Sequence, residues 1–130
     1  MATLNGSSVQ HGQTKPFVLT LNNPTDDHPL NPDGFNTANY ELCFIAKQNL
    51  SNDDNAATTI NLNNSRFVKA VDGLTATFSL RPSDTSSITF GSSSSITYQY
   101  EIWIEDSTQP TVYSYAIESG NFTLKRSVKD

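Results

Sequence analysis

The chain has few of the residues that build redox, metal or nucleic-acid sites. Its 130 residues include one cysteine, Cys43, and two histidines, His11 and His28, so neither an internal disulfide nor a Cys/His zinc cluster is expected. Eight Lys and Arg against 13 Asp and Glu give a net charge of −5, which disfavours binding to a polyanion. No apolar run approaches the ~18 residues of a membrane span. We expect no nucleic acid, membrane or cofactor among its partners.

Catalytic patterns are equally scarce. A nucleophile needs a base that a third group orients, and both histidines lie in segments with turn or loop composition. The adjacent residues Asp26, Asp27 and His28 are the strongest metal candidate, but such neighbours in a loop more often face solvent. There is neither a GxGxxG motif nor a phosphate loop with lysine. We therefore expect no enzyme activity and no required metal.

Short polar side chains and alternating apolar residues are abundant instead. Serine, threonine and asparagine make up about a third of the chain, which disfavours long helices. Period-two alternation predicts short strands. They fall at residues 16–21, 40–47, 57–60, 67–71, 74–80, 96–105, 112–117 and 122–125. A short helical turn is predicted within 83–88, a Pro-rich loop over 22–39, and a positive φ at Gly120 before the last strand.

Seven or eight such strands with regular turn signals predict an all-β fold, an antiparallel sandwich of two sheets, with a partly closed barrel as the competing architecture. Residues 15–130 are expected to form this single domain, preceded by a flexible arm over 1–14. The arm either stays disordered or becomes ordered on a neighbouring subunit through Leu4 and Val9. The expected core includes Leu19, Leu42, Phe44, Leu74, Ala76, Phe78, Tyr98, Tyr100 and Ile102.

Two apolar residues have the wrong parity for that core. Trp103, the only tryptophan, alternates in phase with Glu101 and Glu105, and Ile45 shares the polar face of its strand with Glu41. If these two strands are neighbours, the outer surface carries an apolar patch, which indicates either a partner or a covering segment. The candidate covering segments are the 22–39 loop and the N-terminal arm.

From residue 40 onward the chain resembles a known family. The matching pieces are YELCFIAK at 40–47 with LSNDDNA at 50–56, LTATFSLRPSDT at 74–85, YQYEIWIED at 98–106 and SGNFTLK at 119–125. They are similar to the N-terminal immunoglobulin-like domain of bacteriophage upper-baseplate proteins. The resemblance implies an immunoglobulin-like sandwich in a virion protein made in the bacterial cytoplasm.

The family context implies a small tail, baseplate or fibre-adaptor subunit that acts by protein–protein assembly. Its partners would be other virion proteins and copies of itself in a symmetric oligomer or ring. The candidate interface residues are Leu4, Val9, Ile45 and Trp103. Two alternatives stay open, namely a capsid decoration protein and a carbohydrate-binding module in which Trp103 with Tyr113 or Tyr115 forms a stacking platform.

Overall fold

A computed structural model describes residues 2–4, 8–21, 40–52, 58–70, 75–106 and 113–126. These segments contain the strands β1 Ala2–Leu4, β2 Ser8–Gln10, β3 Lys15–Leu21, β4 Tyr40–Lys47, β5 Ile60–Leu62, β6 Val68–Lys69, β7 Thr75–Leu80, β8 Ser95–Asp106 and β9 Tyr113–Lys125. A 3-10 helix spans Asn64–Arg66, and a single helical turn, α1, spans Pro82–Thr85. The chain is thus mostly β, as its alternating pattern predicts.

The strands form two sheets in a sandwich-like arrangement. The four-stranded sheet has the order β1-β3-β7-β6, and the five-stranded sheet has the order β2-β9-β8-β4-β5. Neighbouring strands are antiparallel except β2 and β9, which run parallel. The predicted two-sheet arrangement is therefore confirmed, in preference to a single closed sheet.

Aromatic rings join the two sheets at the centre of the core. The Phe78 ring of β7 lies 5.4 Å from that of Phe17, 5.1 Å from that of Phe44 in the opposite sheet, and 4.8 Å from that of Phe67, measured between centroids. The other predicted core residues in the described segments are also buried, and Leu74 lies outside those segments. The confirmed set is Leu19, Leu42, Phe44, Ala76, Phe78, Tyr98, Tyr100 and Ile102.

The N-terminal segment corrects one prediction. Instead of forming a separate arm, β1 pairs with β3, and β2 pairs with the last strand, β9. Val9 is only 3% exposed and belongs to the core, while Leu4 is partly buried against it. Pairing at the two sheet edges satisfies backbone N–H and C=O groups of β1 and β2. The composition of this segment does not indicate which strands these groups pair with. Val9 therefore packs in the core of the chain itself, and β1 and β2 are part of the two sheets.

Gly120 corrects a second prediction. The two strands expected at 112–117 and 122–125 are one strand, β9, and the positive-φ glycines of the described segments are Gly12 and Gly91. Gly120 lies directly opposite Tyr100, and a Cβ built on it would lie 3.1 Å from the Tyr100 hydroxyl oxygen. The missing side chain leaves room for the Tyr100 ring, so close packing explains this glycine.

An ion pair joins two of the connections that cross between the sheets, the one from β5 to β6 and the one from β7 to β8. The Arg66 guanidinium donates to both carboxylate oxygens of Asp84 at 2.8 and 2.7 Å, and also to the Ser79 carbonyl oxygen at 2.9 Å. The Arg81 backbone N–H donates to Asp84 at 2.7 Å. Burial raises the pKa of Asp84, but the bonds from Arg66 and Arg81 outweigh it, so the net pKa is lowered.

Replacing Phe78 by Ala should lower the free energy of unfolding by about 3–5 kcal/mol, because it empties the centre of the aromatic cluster. Urea unfolding measures this cost. The control is Val68→Ala on the edge strand β6, where the side chain is 72% exposed and the expected change is about 0.5 kcal/mol or less. Equal costs for the two variants would contradict the assigned core.

Replacing Asp84 by Asn should lower stability at neutral pH by about 2 kcal/mol, because it leaves Arg66 without its counter-charge. Since the folded-state pKa of Asp84 is lowered, the ion pair contributes fully above the ordinary Asp pKa of about 4. That contribution is lost as pH falls through the lowered value, so urea melts should converge for the two proteins in acid. A difference in unfolding free energy between the two proteins that stays constant down to low pH would be inconsistent with the ion pair. The control is Glu101→Gln on the exposed surface.

Replacing Gly120 by Ala should destabilise the protein by about 1–3 kcal/mol, because the new methyl group meets the buried Tyr100 ring. Tyr100→Phe removes the nearest atom, so the double variant should lose less stability than the sum of the two single changes. Additive losses in urea unfolding would mean that the contact between Gly120 and Tyr100 is not the reason for the glycine.

Candidate functional site

The outer face of the five-stranded sheet carries the apolar residues that the sequence singles out. Trp103 of β8 lies directly opposite Cys43 of β4, and Ile45 pairs with Glu101 on one side and with Asn61 of β5 on the other. Because β4 and β8 are neighbours, the alternation that sends Phe44 and Ile102 inward sends Ile45 and Trp103 outward. We call this surface the Trp103 face.

The Trp103 face contains a groove of about 480 Å³. Trp103, Ile45 and Cys43 are each partly exposed, and Leu50, on the connection after β4, is 70% exposed. The groove therefore offers both aliphatic and aromatic surface to solvent. Its lining is Cys43, Ile45, Lys47, Leu50, Asn61, Glu101, Trp103 and Glu105.

A β-bulge lies beside Trp103. The register between β8 and β9 shifts between Ile102 and Trp103, where Ile102 pairs with Glu118 and Trp103 pairs with Ala116. The extra residue, Ile117, is buried. Bulges bend a strand and increase its twist, and in this way they re-aim neighbouring side chains. The irregularity therefore falls at the position of the only tryptophan.

Carboxylates flank the tryptophan. Glu101 and Glu105 stand two residues before and after Trp103 on the same strand face, and Glu105 lies directly opposite Glu41. Neither Glu101 nor Glu105 forms a side-chain hydrogen bond or ion pair with the part of the chain that the structure describes. Like charges placed directly opposite each other destabilise a sheet. The two carboxylates therefore add negative charge to the surface beside Trp103.

Polar contacts hold the edge of the groove that lies on the β5 side. The Cys43 thiol lies 3.7 Å from the amide oxygen of Asn61 and donates to it. Nearby, the Leu42 backbone N–H donates to the amide oxygen of Asn64 at 2.9 Å, which holds the 3-10 helix against β4. These contacts keep β5 and the segment after it beside the groove, although β5 is only three residues long.

The predicted interface residues are divided by the fold. Ile45 and Trp103 lie together on the Trp103 face, whereas Leu4 and Val9 pack at the core and do not reach it. Of the two candidate covering segments, β1 and β2 are paired within the sheets, and residues 22–39 lie outside the described segments. Sequence reasoning missed Leu50 and Asn61, although Asn61 follows the buried-exposed-buried pattern of β5.

Of the histidine and acidic candidates, the described segments contain His11, whose ring is held by contacts within the fold. The His11 Nε2–H donates to the Thr85 carbonyl oxygen at 2.9 Å, and the ring makes an edge contact with Phe90 at 5.3 Å between centroids. No group of three or more His, Cys, Asp or Glu residues capable of holding a metal occurs within 2–4, 8–21, 40–52, 58–70, 75–106 and 113–126. Asp26, Asp27 and His28 lie outside these ranges. In the same ranges, no helix has the length and apolarity to cross a membrane.

Comparison with protein-family models and with curated proteins found no match to this chain.

Proposed function

We propose that this chain is an assembly protein that binds a neighbouring protein subunit through its Trp103 face. The observation that carries the proposal is the gathering of Trp103, Ile45 and Cys43 around one groove on an outer sheet face. Surface apolar residues that cluster in a groove, with an aromatic residue at the centre, are typical of protein interfaces. The proposal requires no active site.

The sheet edges are less suited than this face to recruiting a partner. The outermost strands β5 and β6 span three and two residues, and β6 ends in Lys69. Short edges with a charged residue discourage pairing with another chain. At the other edges, β1 and β2 are also only three residues long. A side-chain interface on the Trp103 face is therefore the better route to assembly.

We further propose that the sandwich is immunoglobulin-like. In that fold, strands A, B, E and D form one sheet, and strands G, F and C form the other. The orders β1-β3-β7-β6 and β2-β9-β8-β4-β5 support this assignment if β1 and β2 are two parts of strand A, β5 is an added strand C′, and the remaining strands follow in chain order.

The proposed context is a bacteriophage particle, in which the chain would be a small tail, baseplate or fibre-adaptor subunit. The support is the sequence resemblance, whose pieces fall largely on β4, β7 with α1, β8 and the end of β9. Other virion proteins and further copies of this chain are the proposed partners, arranged in a symmetric oligomer or ring. A capsid decoration protein would use the same fold and face, and the position on the particle would separate the two roles.

A carbohydrate-binding module is the second candidate function. It is favoured by a partly exposed tryptophan in a groove that also presents Asn61, Glu101 and Glu105 as hydrogen-bonding groups. This function would not require assembly. Saturable quenching of Trp103 fluorescence by a neutral oligosaccharide would favour it over the assembly role.

Replacing Trp103 by Ala should reduce incorporation into particles at least tenfold, while the free energy of unfolding falls by only about 1 kcal/mol, because the ring is partly exposed. Quantitative mass spectrometry of purified phage measures incorporation. Val68→Ala, on the other sheet, is the matched surface control. Absence of the wild-type chain from particles would contradict the virion role, and normal incorporation of the Trp103 variant would contradict the assigned face.

A further inference from the structure

Charge complementarity on the Trp103 face identifies the chemistry of the partner. We infer that the groove receives an arginine side chain from a basic segment of the neighbouring subunit, with the guanidinium over the Trp103 ring and bonded to Glu101 or Glu105. This inference deepens the proposed function and rests on it.

Two carboxylates place negative charge beside Trp103. Glu101 and Glu105 stand two residues on either side of Trp103, so their Cα atoms lie about 7 Å from that of the tryptophan. Neither carboxylate has an ion-pair partner within the described segments. A cation held about 6 Å or less from the ring centroid is also within reach of one of these carboxylates.

A pair of like charges lies at one end of the groove. Glu41 and Glu105 are directly opposite each other in the register of β4 and β8, and a smaller depression of about 190 Å³ joins them beside Cys43. Burial lowers the pKa of Lys69 and the charge of Glu41 raises it less, so Lys69 already offsets part of the charge of Glu41. A second basic residue on the partner would reduce the repulsion at this pair.

The groove already contains one cation, Lys47. Lys47 pairs with Gln99, and Ile45, two residues earlier on the same strand face, pairs with Glu101. Lys47 therefore lies diagonally across from Glu101, whereas its Cα is about 13 Å from that of Cys43, toward the far end of the groove from Glu105. The Glu105 end of the groove, beside Trp103, is complementary to a cation from outside.

Arginine suits this site better than lysine. Its planar guanidinium stacks on an indole ring, forms two parallel bonds to a carboxylate, and is less strongly hydrated than an ammonium group. Ile45 and Leu50 supply aliphatic surface next to Trp103 for the methylene groups or an apolar neighbour of that arginine. The expected partner segment thus combines arginine with aliphatic residues.

Fluorescence titration of the full chain tests the inference, because Trp103 is the only tryptophan. The probes are a short capped peptide of alternating arginine and leucine, the same peptide with lysine, and the same peptide with glutamate. The arginine peptide should change Trp103 emission saturably and bind about threefold or more tightly than the lysine peptide. The double variant with Glu101→Gln and Glu105→Gln should bind it about tenfold more weakly, whereas the control Glu118→Gln should stay within about twofold.

Unchanged affinity of the double variant, equal binding of the glutamate peptide, or no saturable response to the arginine peptide would overturn the inference. Urea unfolding verifies that each variant is folded. Incorporation into particles separates the inference from the proposed function. If Trp103→Ala fails to incorporate while the double variant incorporates normally, the face is an interface but its partner is not basic. If both incorporate normally, the proposed function fails as well.

Discussion

The pairing of β4 with β8 is the constraint on which the rest of the molecule depends. Each strand alternates strictly, so the register that pairs Phe44 with Ile102 also pairs Cys43 with Trp103. One face of this strand pair contributes side chains to the core, and the other face forms part of the outer surface of the sheet. Shifting β8 by one residue against β4 would move Ile102 into solvent and Trp103 into the core, so the core itself specifies the composition of the outer face.

The remaining elements close the sandwich around this pair. Phe78 packs the second sheet against Phe44, and the bidentate contact between Arg66 and Asp84 joins the β5–β6 connection to the β7–β8 connection. The N-terminal strands β1 and β2 each pair at one edge of a sheet, and Val9 of β2 packs in the core. The Trp103 face thus lies on a scaffold in which an ion pair holds two of these connections together, and a rigid scaffold limits the conformational cost of binding.

Sequence reasoning succeeds where the pattern is local. The alternation in β4, β7 and β8 is long enough to specify both the strand and the face that is buried, and the same alternation places Trp103 on the outer face. Sequence reasoning fails for β2, because a single apolar residue, Val9, has no period, and its partner strand lies at the other end of the chain. The Arg66–Asp84 pair shows the same limit. Its residues are 18 positions apart, and no local motif connects them.

Under the proposed function, the Trp103 face is exposed in the isolated chain and covered after assembly. Cys43 lies directly opposite Trp103 and is the only cysteine, so alkylation of its thiol reports on this face alone. The alkylation rate should be measured by mass spectrometry in the isolated chain, in assembled particles and in the urea-unfolded chain. The account predicts that Cys43 reacts in the isolated chain and is at least tenfold slower in particles. Equal rates in the isolated and assembled chain would contradict it.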